Sequence, residues 1–198
     1  MAENIIPTIS GCKSILVAAA LFGSLLTAAP TPGQEIVLDL DTARTTVQFT
    51  LADVLHTVHG DFKVKHGVIR FDPSTGKISG EVAVDAASGE SGSDGRDSRM
   101  HKNILESGRF QDILFVPDRV EGTVASQGSS EVQVHGTFRI HGAAHEIMVP
   151  VHVQVTDGKA TAKMRFTIPY VKWGMKNPST FLLRVSDKVD IDIAAYSK

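Results

Sequence analysis

From Glu35 onward, apolar and polar residues alternate with a period of two along most of the chain, the spacing of a strand that buries one face. Thr46 to Leu51 alternates cleanly and sets Val47, Phe49 and Leu51 on one side. In the extended run from Val58 to Phe71, Gly60 and Phe62 share one phase while Gly67, Ile69 and Phe71 share the other. One extra residue flips the alternation, so a bulge is expected near Lys63 to His66. Asp72-Pro73-Ser74-Thr75-Gly76 has the composition of a turn, and it leads into an antiparallel strand, Lys77 to Asp85, with Ile78, Val82 and Val84 on one side. Extended structure resumes at Asp112 to Val116 and continues past Pro117 toward Val124, with the next turn expected at Gln127-Gly128-Ser129-Ser130. Val132, Val134, Phe138 and Ile140 then alternate with polar residues, as do Ile147, Val149, Val151, Val153 and Val155. Asp157-Gly158 is the strongest short hairpin signal, and the strand after it carries Ala162, Met164, Phe166 and Ile168 on one face. An irregular segment, Tyr170 to Ser179, separates it from a last strand, Val185 to Ile193.

One stretch breaks the alternation. Ser91 to Gly108 reads as a short helix, with Ser93 or Asp94 to cap it, Asp97 in the first turn and Gly108 as a stop. Met100, Ile104 and Leu105 fall on one face, and Arg96, Arg99 and Lys102 can point to water. The residues fit either an amphipathic lid or a plain surface crossover.

About eight strands with one apolar face hide their edges by closing into a barrel or stacking as a sandwich. The pattern therefore predicts an all-β fold, and an eight-stranded barrel is either filled by side chains or holds one small ligand. The inward list of Val, Ile and Phe suits both.

With 198 residues, 42% hydrophobic and 21% charged, the chain provides one well-cored domain with a removable extension. Net charge −2 and a pI near 6.4 give no basic footprint for nucleic acid. Ser14 to Ala29 is an apolar run after Lys13, shorter than a comfortable membrane span. It reads as a signal-peptide core within residues 1–33, with small residues at Ala29 and Gly33 for cleavage and an uncleaved anchor as the other reading. Residues 34–198 would be the mature domain. Cys12 is the sole cysteine, so removal of the signal leaves no thiol for a disulfide, a nucleophile or a cysteine metal site.

The eight histidines raise metal binding, through His56 with His59 or His141 with His145. Neither pair has a third ligand in sequence, and surface positions explain them as well. For hydrolysis there is no nucleophile elbow and no phosphate loop; His101 and Asp97 at four-residue spacing could form a His–carboxylate pair, and Asp97 is equally placed to interact with the helix start or an Arg.

Four blocks resemble the YceI-like proteins of the bacterial cell envelope. They are Gly60-Asp61-Phe62 with Gly67 to Asp72; Arg96-Asp97 with Met100-His101 and Leu105; Gly136 to Gly142; and Trp173-Gly174-Met175-Lys176 followed by Val185 to Val189. The resemblance implies an eight-stranded antiparallel lipocalin-like barrel with one short helical insert at its mouth. It also implies a protein exported to the periplasm or outside, whose interior sequesters or transports a polyprenyl chain or isoprenoid quinone, without enzymatic chemistry or a further cofactor. Contact with a membrane surface for ligand exchange and a homodimer are compatible with it. Phe110-Gln111 stands where relatives often carry Tyr-Pro, and Tyr170-Val171-Lys172 replaces a common Arg-Ser-Asp. The candidate ligand-contacting residues are Phe49, Leu51, Phe62, Phe71, Met100, Ile104, Leu105, Phe115, Phe138, Phe166 and Trp173. The alternatives are an envelope stress or interaction protein with a filled barrel that binds a protein partner, and after it a histidine-based metal binder or hydrolase.

Overall fold

The alternation from Glu35 onward becomes ten strands in the computed structural model, which describes residues 35–53, 56–181 and 183–198. The expected signal peptide, 1–33, lies outside the described residues. The strands are β1 (Ile36–Asp39), β2 (Thr46–Ala52), β3 (Thr57–Phe62), β4 (Val64–Asp72), β5 (Lys77–Asp85), β6 (Asp112–Glu121), β7 (Gly128–Ile140), β8 (Ala143–Thr156), β9 (Lys159–Ile168) and β10 (Val189–Tyr196). They form one antiparallel sheet in the order β1-β4-β5-β6-β7-β8-β9-β10-β2-β3. The sheet curls back on itself: β3 runs into β4 through Lys63, and Leu40, just past β1, bridges Ser197, just past β10. Curling satisfies backbone groups that a flat sheet would leave on open edges.

Ten strands replace the eight expected for two local reasons. The long run from Val58 to Phe71 divides at Lys63, with a register shift between Val64 and His66; the phase flip seen in the sequence is a break as well as a bulge. Ile36–Asp39 adds a strand too short to assert itself by pattern, stabilised by pairing with β4. Two boundaries also move. Gly128, Ser129 and Ser130, expected in a turn, open β7, because their partners on β8 are Val155, Gln154 and Val153. Val185 to Lys188, expected in the last strand, stay outside it, and Val185 makes only a bridge to Asp53.

The Asp157-Gly158 turn takes positive φ at both residues, 50° and 76°, the shape whose twist matches flanking strands. Along β9 the interior receives Ala162, Met164, Phe166 and Ile168, and along β7 Val132, Val134, Phe138 and Ile140, as their alternation predicts. These residues belong to one core cluster that runs the length of the curled sheet.

After β5, a 3-10 turn at Ala86–Ser88 is capped by Asp85, whose carboxylate accepts from the Ala87 N–H at 2.9 Å. The insert follows as α1 (Asp94–Arg99) and a π-helical turn at Met100–Ile104. It is shorter than expected and stops before Gly108: Glu106 takes a φ of 47°, and its carbonyl accepts from the N–H groups of Arg109 and Phe110. Its lead-in lies across β3, where Asp61 and Glu90 exchange backbone hydrogen bonds of 2.9 and 3.0 Å. Gly60 permits that crossing, because a Cβ there would stand 2.3 Å from the Glu90 carbonyl oxygen and 2.5 Å from the Phe49 ring.

Candidate functional site

The curled sheet encloses two cavities, one at each end. The chamber beside β1 and the Asp157-Gly158 turn measures about 160 Å³ and presents almost no polar surface. The chamber beneath the insert measures about 490 Å³. Val47, Val84, Ile113, Phe138, Phe166 and Ile193 contribute to both linings and form a waist between them. The Phe138 ring sits there with its centroid 6.2 Å from that of Phe166 in an edge-on arrangement.

Ten of the eleven candidate residues line this bore. Phe71 and Phe115 face the smaller chamber; Phe49, Leu51, Phe62, Met100, Ile104 and Leu105 face the larger; Phe138 and Phe166 face both. Trp173 lies outside both linings. Its ring stacks on His145 at 4.0 Å between centroids and 4° between planes, and lies 5.9 Å from Phe138. Burial holds the His145 imidazole below its ordinary pKa of 6.5, and its Nε2 is buried with no hydrogen-bond partner. His145 pairs across the strands with Phe138, so Trp173 packs on the inner side of the sheet beside Phe138 without lining either chamber.

The larger chamber has walls that alternation does not reveal. Tyr170, Met175, Pro178, Leu183 and Val185, all from the irregular stretch after β9, close over it. The Tyr170 hydroxyl donates to the Ser186 carbonyl at 2.7 Å, and the Met175 N–H donates to the Tyr170 carbonyl at 3.1 Å. Burial, with the Asp187 charge as the second cause, pushes the Tyr170 phenol up to about 12. Only the concentration of apolar residues in an otherwise polar loop hints at this roof.

On the insert, Met100, Ile104 and Leu105 face the cavity, while Arg96, Arg99 and Lys102 are exposed, and the two arginines also line the opening. Asp97 does not pair with His101. Its carboxylate accepts from the Ser91 N–H at 3.0 Å and from the Ser91 hydroxyl, and Arg96 donates through Nε to that hydroxyl oxygen at 2.6 Å and through Nη2 to the Ser91 carbonyl at 2.7 Å. Burial alone would raise the Asp97 carboxyl, but the Ser91 and Ser93 hydrogen bonds and the Arg96 charge outweigh it and hold the group below its ordinary value. His101 Nε2 is 2.9 Å from the Gly89 carbonyl oxygen, and Nδ1 is 3.2 Å from the Ser107 hydroxyl. A carbonyl only accepts, so the ring proton sits on Nε2. Both side chains pin the insert to its own flanks, and neither is poised for acid–base work.

The two histidine pairs do not converge on an ion. His56 lies beside Asp53, His59 Nδ1 is 3.1 Å from the Thr50 hydroxyl, His141 Nε2 is 3.3 Å from Glu106 without hydrogen-bond alignment, and His145 stacks on Trp173. Among the described residues, Asp118, His135 and Glu146 are the side chains of ligand type that do cluster. His135 Nδ1 is 2.7 Å from Asp118 and Nε2 is 3.5 Å from Glu146. The half-buried ring lies between two exposed carboxylates, a surface arrangement that occurs without a metal.

Comparison with known proteins fits this architecture. The family model described as the YceI-like domain matches residues 38–196. UPF0312 protein Shewana3_1179 of Shewanella sp. strain ANA-3 is 25% identical over 145 residues, which cover 71% of this chain and 73% of that protein. Among solved structures, Burkholderia cenocepacia BcnA superposes with a TM-score of 0.67 at 19% identity, covering 81% of this chain and 100% of BcnA. A polyisoprenoid binding domain from Saccharophagus degradans, implicated in plant cell wall breakdown, superposes with a TM-score of 0.62 at 16% identity, covering 83% of this chain and 99% of its own. At such identities these two likenesses are of fold.

Proposed function

We propose, from the premise that this chain belongs to the YceI-like family, that it is an exported binding protein that holds a polyisoprenoid, either a polyprenyl chain or the tail of an isoprenoid quinone, along its interior. The observation that carries this reading is the bore itself: two apolar chambers that share a six-residue waist, of which the larger lies beneath a helical insert. An unbranched series of small apolar compartments suits a long, thin, repeating hydrocarbon better than a compact ring system. Each methylene moved from water into such a wall contributes about 0.8 kcal/mol, so a tail of several units offsets the loss of its own freedom without a charged contact. The Saccharophagus domain of the same fold is a polyisoprenoid binding domain, which supports the same class of ligand.

The site performs no chemical step in this reading. Ser91, Arg96 and Tyr170 at the larger chamber are engaged in tying the insert and the roof loop, and the ligand is exchanged where the chamber opens, against a membrane that supplies or receives the lipid. The test is organic extraction of the protein purified under mild conditions, with mass spectrometry of the extract and titration with an added prenyl quinone. Recovery of a prenyl lipid, or stoichiometric uptake of the quinone, is expected. Protein that repeatedly yields no lipid and takes up no quinone would return the barrel to a filled scaffold.

A further inference from the structure

We infer that residues 169–181 and 183–188, which follow β9, form a docking rim that sets the opening of the larger chamber against an anionic phospholipid surface. The inference rests on the cavity reading above and names the surface at which that cavity works.

Phe181 is 98% exposed, whereas the other exposed large hydrophobic side chain among the described residues, Met148, is 42% exposed and lies on a strand. A single surface hydrophobe is ordinary; the placement of this one is not. It occupies the tip of a tight turn in which the Thr180 N–H donates to the Leu183 carbonyl at 2.8 Å and the Leu183 N–H donates to the Thr180 hydroxyl at 3.1 Å. The turn is tied below by the Val185 N–H donating to the Ser179 hydroxyl oxygen at 2.8 Å and the Ser179 N–H donating to the Asn177 side-chain carbonyl at 2.8 Å. Hydrogen bonds thus hold the aromatic ring out in water. Pro178, Leu183 and Val185, around that tip, line the larger chamber, so the exposed ring stands on the same stretch of chain that walls the cavity, outside the lining itself.

Charge selects the partner. The chain carries a net −2, yet residues 169–188 hold Lys172, Lys176, Arg184 and Lys188 against Asp187, a net +3. All four basic side chains are exposed, and among the described residues none of them lies within 4.0 Å of a carboxylate. Arg96 and Arg99 stand exposed at the same opening, with Asp94 and the hydrogen-bonded Asp97 offsetting them. An aromatic tip among unpaired cations suits the interface of an anionic bilayer, where the ring sits at the headgroup level and the cations meet lipid phosphates. It suits a zwitterionic surface poorly.

The experiment is co-sedimentation of the purified protein with phosphatidylglycerol vesicles and, separately, phosphatidylcholine vesicles, at low and high salt. Preferential binding to phosphatidylglycerol that weakens with salt is expected. Phe181→Ser should reduce that binding roughly tenfold, and Lys176→Gln with Arg184→Gln roughly 25-fold, about fivefold for each charge removed. Both variants should take up a prenyl quinone in vesicle-free solution as the parent does, which separates docking from cavity binding. Equal binding to the two lipids, unchanged binding of either variant, or no vesicle binding at all would overturn the docking rim while leaving the cavity reading intact. A parent that docks but takes up no quinone would overturn the cavity reading and, with it, the purpose assigned to docking.

Discussion

The two chambers are bounded by the same sheet and differ in almost everything else. The smaller one is walled by regular strand positions, such as Phe71, Val132, Val151 and Ala162, and is nearly free of polar surface. The larger one borrows half its character from irregular segments: Met100 and Ile104 on the insert, Tyr170 and Met175 on the roof loop, and Arg96 and Arg99 at the opening. Alternation along strands therefore builds a dry bore, and departures from alternation decide where it opens and which polar groups stand at that opening. On the polyisoprenoid reading proposed above, that division gives the bore a tail end and an exit end.

The strongest way to break the comparison is at the waist. Phe138 separates the chambers and is 8% exposed; Phe138→Ala should merge them and destabilise the fold by about 3–5 kcal/mol, since the lost transfer energy is joined by a cavity that cannot collapse. Urea unfolding measures it, and a loss below about 1 kcal/mol would mean that the waist is not a packed partition. Filling the smaller chamber instead sharpens the contrast. Ala162, buried and inward on β9, replaced by Phe should cost about 1–3 kcal/mol through overpacking. Uptake of a long prenyl chain should fall while that of a short one is kept; equal losses for both lengths would erase the distinction between tail and exit ends.

At the other end, Met100→Gln with Ile104→Gln touches half-buried side chains, so the unfolding free energy should fall by about 1 kcal/mol or less. Ligand retention should fall roughly tenfold, because the lost methyl and methylene contacts belong to the chamber wall. Retention unchanged beside a large stability loss would make the insert a structural crossover. The smallest effect concerns His145, stacked on Trp173 beside the waist. Its pKa is lowered from 6.5 in the folded protein, so below that value the unfolded chain takes up a proton that the folded chain resists. Its contribution to stability is complete above pH 6.5 and is lost as pH falls through the lowered folded value. His145→Phe, which keeps a ring against Trp173, should flatten the decline of melting temperature between neutral and mildly acid pH. The same slope in parent and variant would place that decline elsewhere.

Much of this was legible from residue order alone. The inward faces of β2, β7, β9 and β10 follow from Val47, Phe49, Val132, Phe138, Phe166 and Ile191, because a strand's side chains can point only two ways. The flip at Lys63 to His66 marked the bend between β3 and β4 for the same reason. Trp173 was misplaced because its block carries no period: a loop aromatic has no parity to say which way it faces, and only the His145 ring across from it decides. Tyr170, Met175, Pro178, Leu183 and Val185 were missed for the same lack of a repeat. The Asp97–His101 pairing, attractive at helical spacing, gave way to Ser91 and Gly89, which chain folding brings closer than the neighbouring turn.

By itself, then, the order of residues determined the class of fold, the apolar lining of the bore and the position of the one segment unlike the rest, since each depends on local periodicity that folding preserves. Tertiary structure alone decided that the bore has two chambers with Phe138 between them, that an irregular loop roofs the larger one, and that Phe181 stands out beside its opening. Those features arise where residues far apart in sequence meet without a repeating geometry, and no spacing along the chain encodes such a meeting.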